Sequence, residues 1–242
     1  MRVGVISDIH GNAAALEAVL DALDEDRLDA VWCLGDLVGY GPDPNRCCEL
    51  VAHRADLCLV GNHDLGVLGT IPLDEFSPDA ASAARWTETV LTEYSRAYLE
   101  SLRPEAKVDD AELFHASPRD PVWDYVLSEP VARESLELTE APVVMVGHSH
   151  VPLAMVLENG RAKGGLAPAG HEVDLAQGRW LLNPGSVGQP RDNDPRAAYV
   201  VLDQDERRAY FRRIAYPVER TQAEIRERGL PETLAQRLAL GL

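Results

Sequence analysis

Three short apolar runs in the first sixty-four residues end in the same way, and this repetition narrows the possible folds more than any other feature of the chain. Val3 to Ile6 stops at Ser7-Asp8-Ile9-His10-Gly11-Asn12. The run from Asp29 to Leu34 stops at Gly35-Asp36, and Leu57 to Val60 stops at Gly61-Asn62-His63-Asp64. Helix-prone stretches separate them. Residues 13–26 carry Leu16, Val19, Leu20 and Leu23 at helical spacing, and residues 45–53 follow a loop dense in turn formers. The alternation βαβαβ predicts parallel strands with helices on their faces. Open sheets of this kind bind ligands beyond the carboxyl ends of their strands. One polar turn can simply cap itself. Three that each deliver a carboxylate, an amide or an imidazole predict a binding site. Asp8 and His10 are two residues apart, so an extended backbone aims both to one side.

The pattern continues downstream. Residues 65–79 lack a period and read as a loop. Ser77-Pro78 is a helix start, with serine as cap and proline in the first turn. One helix is expected from Pro78 or Asp79 to Leu102, with Trp86, Val90, Tyr94 and Leu102 near its core-facing side. Glu112 to His115 is a short strand ending in histidine, residues 130–140 a helix, and Val143 to Val146 a strand running into Gly147-His148-Ser149-His150. After Val151, strand-like pieces at 153–158, 162–166, 171–175 and 180–183 alternate with turns, and Asn159-Gly160 marks a hairpin. Asn183-Pro184-Gly185-Ser186-Val187-Gly188 follows, then strands near 197–202 and 207–214. The tail, 217–240, reads as one or two helices broken at Gly229-Leu230-Pro231. The second half is therefore mainly antiparallel. With no linker or repeat, a single domain over residues 1–242 is expected.

Composition excludes some functions. Acidic residues outnumber basic ones by 40 to 23, a formal charge of −17, which disfavours long nucleic acid as a partner. No apolar stretch is long enough to span a bilayer, and strand chemistry from Val3 onward is unlike a signal peptide, so no membrane partner and a cytoplasmic location are expected. Cys33, Cys47, Cys48 and Cys58 lack zinc-type spacing. The donors that remain at strand ends are Asp8, His10, Asp36, Asn62, His115, His148 and His150. All offer oxygen or nitrogen, so a thiolate site is excluded. Seven donors are too many for one ion and suit two that share a carboxylate.

Asp8-Ile9-His10, Gly35-Asp36, Gly61-Asn62-His63-Asp64, an isolated His115 and Gly147-His148-Ser149-His150 occur in that order. Together they resemble the motifs of the calcineurin-like metallophosphoesterase superfamily. The surrounding sequence is most similar to its small bacterial and archaeal phosphodiesterase branch, and Asn183–Gly188 carries the likeness into the second half. The resemblance implies an α/β fold (α+β by some schemes), a four-layer αββα sandwich with two mixed sheets flanked by helices. It implies one divalent ion on Asp8, His10, Asp36 and His150, and another on Asp36, Asn62, His115 and His148, with Asp36 as the bridge. Manganese is the first candidate; iron, zinc, cobalt and nickel are alternatives. It further implies in-line attack on phosphorus by a metal-bridging hydroxide, with His63 protonating or stabilising the leaving oxygen.

Two divalent ions outweigh the charge of Asp8 and Asp36, so an acidic protein can still attract an anionic substrate locally. The protein serine/threonine phosphatases of the superfamily carry an acidic residue and an arginine after the Gly-Asp motif. Here the loop reads Leu37-Val38-Gly39-Tyr40-Gly41, which favours a small phosphodiester or nucleotide over a phosphoprotein. A phosphomonoesterase and a non-catalytic scaffold of the same fold are the alternatives, and a homo-oligomer is compatible with the sequence. Asn12 and Arg191 are candidate substrate contacts, against a turn cap and a surface ion pair. Asp64 either orients a ligand or shapes a turn. Trp123 and Tyr125 either stack on a nucleobase or pack within their loop. His53 and His171 are expected in solvent.

Overall fold

In the computed structural model, which describes residues 1–242, the apolar runs pair into two six-stranded mixed sheets. The first-half strands are β1 (Arg2–Ile6), β2 (Ala30–Cys33), β3 (Leu57–Cys58), β4 (Glu105–Val108), β5 (Ala111–Phe114) and β6 (Val143–Met145). The second half adds β7 (Leu153–Glu158), β8 (Arg161–Leu166), β9 (Glu172–Asp174), β10 (Arg179–Asn183), β11 (Ala197–Asp203) and β12 (Arg208–Ile214). One sheet has the order β3-β2-β1-β11-β12-β9, the other β4-β5-β6-β10-β7-β8. In the first, β1, β2 and β3 are parallel, and β11 and β12 extend the sheet antiparallel. In the second, β5, β6 and β10 are parallel, so one strand of the largely antiparallel second half joins a parallel core. Both sheets draw strands from both halves of the chain.

Period-two alternation sets the layers. Val3, Val5, Val200 and Leu202 from one sheet meet Leu113, Met145 and Leu182 from the other in a single buried cluster between the sheets. Their neighbours point outward. Val31, Cys33, Tyr199 and Val201 pack with Leu16, Val19 and Leu20 of α1 (Ala13–Glu25) and Val51 of α2 (Pro44–Arg54). On the far side Val144, Leu181 and Met155 pack with Ala132 and Leu136 of α6 (Glu129–Glu137). Helix, sheet, sheet, helix is the expected four-layer sandwich.

Four expectations need correction. Residues 62–67 form a short helix, α3 (Asn62–Val67), and Leu73–Glu75 a 3₁₀ turn, where a strand end and a loop were expected. The expected helix to Leu102 is two: α4 (Pro78–Val90) and α5 (Glu93–Ser101). Thr92 caps α5 through its hydroxyl, which accepts from Ser95 N, while Asn45 holds the break by donating to Val90 O and accepting from Thr92 N. The break turns Val90 and Tyr94 outward, 38% and 57% exposed, so they do not face the core. Strand β4 was missed, because its half-exposed edge position leaves little apolar pattern to read.

The tail forms α7 (Val218–Glu227) and α8 (Glu232–Leu238), separated at Gly229, whose φ of +68° ends the first helix. Ile225, Leu234, Ala235 and Leu238 pack on Ala80 and Ala83 of α4 and on Tyr40. This seats the end of the chain beside the loop that follows β2. No helix is long and apolar enough to cross a membrane.

Candidate metal centre

The donors lie on turns just past the strands, not on the strands themselves. Asp8, His10, Asp36, His148 and His150 all have positive φ, between 50° and 62°. Left-handed backbone is costly for residues with a Cβ and concentrates at functional sites. The expected mechanism, an extended backbone aiming Asp8 and His10 together, is therefore replaced by tight left-handed turns that achieve the same convergence. Space is as tight as the backbone. A Cβ on Gly61 would lie 2.1 Å from Asp36 Oδ1, and one on Gly147 would lie 2.2 Å from Ser7 Oγ. Only glycine lets these loops close on the donors.

All seven donor residues are buried, and they fall into two groups sharing Asp36. Asp8, His10, Asp36 and His150 bring one donor atom each within 4.8 Å of one another, and Asp36, His115 and His148 do the same. Asn62 joins the second group, with Oδ1 3.3 Å from His115 Nε2. Three imidazoles donate from Nδ1 to backbone carbonyls: His10 to Val38 at 3.0 Å, His115 to Leu34 at 2.9 Å and His150 to Gln189 at 2.7 Å. A carbonyl can only accept, so each of these rings turns an Nε2 lone pair towards the centre. His10 Nε2 and His150 Nε2 consequently face each other at 3.0 Å. Two lone pairs so close repel unless a cation lies between them.

A divalent metal fits this donor set. Asp8 Oδ1, Asp36 Oδ2 and His148 Nε2 are buried without any hydrogen-bond partner, a cost that coordination removes. Burial raises the Asp8 carboxyl to about 7 and pushes Asp36 well above the carboxylate range, with Asp64 adding repulsion. Burial likewise holds His10, His148 and His150 neutral well below 6.5. Neutral imidazoles beside strained carboxylates are the state a hard or borderline cation relieves.

The loops are fastened from behind. Asp64 accepts from Leu37 N, Val38 N and Gly61 N, tying the two loops that carry Asp36 and Asn62. Asn183 donates to Gly147 O and Ser149 Oγ, and Ser186 donates to Asp8 O. The Asn183–Gly188 segment thus holds the Asp8 and His148 turns in place.

Residues 1–207 match the family model of the calcineurin-like phosphoesterase superfamily domain. The chain belongs to that superfamily. A crystal structure of a metallophosphoesterase from Sphaerobacter thermophilus superposes with a TM-score of 0.91 at 42% identity, covering 100% of this chain and 99% of that one. An uncharacterized protein of Methanocaldococcus jannaschii is 36% identical over 99% of this chain and 98% of its own length. A symmetrical bis(5'-nucleosyl)-tetraphosphatase of Proteus mirabilis is 30% identical over 152 residues, 55% of this chain and half of the relative's length. The chain is accordingly a phosphoester hydrolase of a family that uses divalent metals.

Around the phosphoesterase centre lies a rim. His63 is buried, its Nδ1 without a partner, its ring 4.8 Å from that of His10 and 4.4 Å from that of Tyr40. Burial holds it neutral, well below 6.5. Phe76 stands edge-on to His63 at 5.0 Å, and Trp123 packs on Phe76 at 5.2 Å. Tyr125, 47% exposed, lies over the His148 ring at 4.1 Å. Asn12 caps α1 through Ala15 N and spends its other capacity on Gly188 O, Tyr216 Oη and Thr221 Oγ1, which leaves no donor for a substrate. Arg191 pairs with no carboxylate; it donates to Gln189 Oε1 at 2.9 Å and Tyr40 Oη at 3.4 Å. His53 and His171 are exposed. Sequence reasoning missed Tyr40, Asn183 and Ser186 as individual residues, although the Asn183–Gly188 motif pointed to the last two.

Proposed function

We propose that the protein hydrolyses a small nucleotide or related phosphodiester with two divalent ions, manganese first among the candidates. Asp8, His10, Asp36 and His150 would hold one ion, and Asp36, Asn62, His115 and His148 the other. A single observation carries this reading. Asp36 Oδ2, buried and without a hydrogen bond, lies 3.6 Å from His10 Nε2 and 3.5 Å from His115 Nε2, common to both donor groups. Asp36 Oδ1 is meanwhile fixed by His63 N at 2.9 Å, so the carboxylate cannot swing away. Bound there, the ions would supply Lewis acidity towards a phosphoryl oxygen and an activated water near neutral pH.

The chain does the rest. His63 is neutral when the site is free, and a phosphate beside it favours the imidazolium, which can then protonate a leaving oxygen. Gly39 keeps the space around it, since a Cβ there would lie 2.6 Å from His63 Nδ1. Arg191 is placed to orient phosphate oxygens with a guanidinium that no carboxylate occupies. The similarity to a bis(5'-nucleosyl)-tetraphosphatase supports a nucleotide as substrate, and so does the aromatic rim of Phe76, Trp123 and Tyr125.

The test is hydrolysis of bis(p-nitrophenyl) phosphate with added manganese, with metal content measured in parallel. Asp36→Ala is expected to lose both ions and to drop the rate about a thousandfold or more. A variant that keeps two ions per chain and its rate would overturn the assignment.

A further inference from the structure

We propose that Arg237, together with Arg191, forms an anion subsite beside the metal centre that grips phosphates other than the one attacked, so that substrates with a chain of phosphates are preferred over simple diesters. The inference rests on the phosphoesterase reading above and adds the substrate class. Arg237 belongs to α8, beyond the family match that ends at residue 207. The helix is anchored by Leu234, Ala235 and Leu238 in the cluster that also holds Tyr40. From there the Arg237 guanidinium carbon sits 5.9 Å from the centre of the Tyr40 ring, and that of Arg191 sits 5.8 Å from the same centre.

Two half-buried guanidiniums thus lie beside one ring, and no Asp or Glu carboxylate engages either. Arg191 Nε is buried with no partner at all. Arg237 donates from Nε to Leu242 O, a carboxylate oxygen of the last residue, at 2.6 Å, which leaves its terminal nitrogens unengaged. The carboxylate of Asp79 lies in its vicinity but accepts the Thr233 hydroxyl instead. Burial, and then the charge of Arg191, make Arg237 easier to deprotonate than an ordinary arginine. Two like charges held partly out of water, with a single carboxylate at Arg237 Nε, are left one anion short. The arginine fork matches phosphate oxygens in pairs.

Position decides which phosphate each arginine meets. The Tyr40 ring is 4.7 Å from His10 and 4.4 Å from His63, so the pair borders the reacting centre. Arg191 N donates to His150 O at 3.3 Å, and its guanidinium holds the side chain of Gln189, whose carbonyl faces His150 Nδ1, whereas Arg237 meets the Tyr40 ring from α8. Arg191 therefore serves the phosphate near the metals and Arg237 one further along a chain.

The test compares the manganese-loaded wild type with Arg237→Gln and Arg237→Lys on two substrates: bis(p-nitrophenyl) phosphate, with one phosphate, and diadenosine tetraphosphate, with four. Arg237→Gln is expected to raise KM for the tetraphosphate at least tenfold more than KM for the diester, with the loss in KM rather than kcat. Arg237→Lys should recover part of it, and the tetraphosphate KM of the wild type should rise with ionic strength. Calorimetric titration of inorganic tripolyphosphate gives a reading independent of turnover, with about tenfold weaker binding expected in Arg237→Gln. Equal losses on both substrates, or unchanged tripolyphosphate binding in Arg237→Gln, overturn the subsite. A wild type that turns over neither substrate sinks the phosphoesterase reading, and the tripolyphosphate comparison still decides the subsite.

Discussion

At the floor of the site every polar group is buried, the imidazoles of His10, His148 and His150 are neutral, and Asp8 and Asp36 strain against ionisation. At the rim the chemistry inverts: Arg191 and Arg237 are charged, half-buried and without an Asp or Glu partner, and Tyr125 is half in solvent. The floor is built to take cations and the rim to take an anion. The floor also spends backbone strain on placing its donors, with five residues in left-handed turns, whereas of the rim residues only Tyr40 has a positive φ. A metal site tolerates little misplacement, so fixing its donors repays that cost. A site for flexible phosphates needs charge and reach more than fixed geometry.

His63 touches both regions, and replacing it tests whether they are separable. His63→Ala is expected to retain the metal content of the wild type and to lose about 10²- to 10⁴-fold in kcat, the range for a general acid. Loss of metal would assign His63 to the floor and erase the boundary drawn here. Asp64→Asn probes the floor from behind. Its carboxylate accepts three backbone N–H groups, and an amide there would turn donors against some of them. Metal affinity should fall about 10- to 100-fold, with every substrate slowed alike. A change that discriminated between substrates would show that the supporting loops shape the rim as well.

The two regions were unequally visible in the sequence. All seven residues that converge at the floor could be picked out, because Asp, His and Asn at successive strand ends are an uncommon texture and each is local to its own strand. The backbone route could not be read, since an extended chain and a pair of left-handed turns can both bring Asp8 and His10 to one side, and only φ distinguishes the two cases. The break between α4 and α5 was hidden for a different reason: Asn45, far earlier in the chain, stitches Val90 to Thr92. The rim shares that non-locality. Tyr40, Arg191 and Arg237 come from three distant segments and are ordinary residues until α8 folds back over the loop after β2. Asn12 sat between the readings, and only the count of its four hydrogen bonds separates a cap from a contact.

The smallest expected effect is also the one that most sharpens the division. Tyr125 covers one face of His148 at 4.1 Å yet remains 47% exposed, so it can belong to the floor, as packing for a donor, or to the rim, as a platform for a base. Stacking on an exposed aromatic sits at the low end of the known range, about 1 kcal/mol, or roughly fivefold in affinity. Tyr125→Leu should therefore raise KM for diadenosine tetraphosphate about fivefold, while the inhibition constant of tripolyphosphate, which has phosphates but no base, stays put. Tyr125→Phe keeps the ring and should behave as wild type. If tripolyphosphate weakens together with the nucleotide, or metal content drops, then the ring serves His148 alone and the base must find another surface.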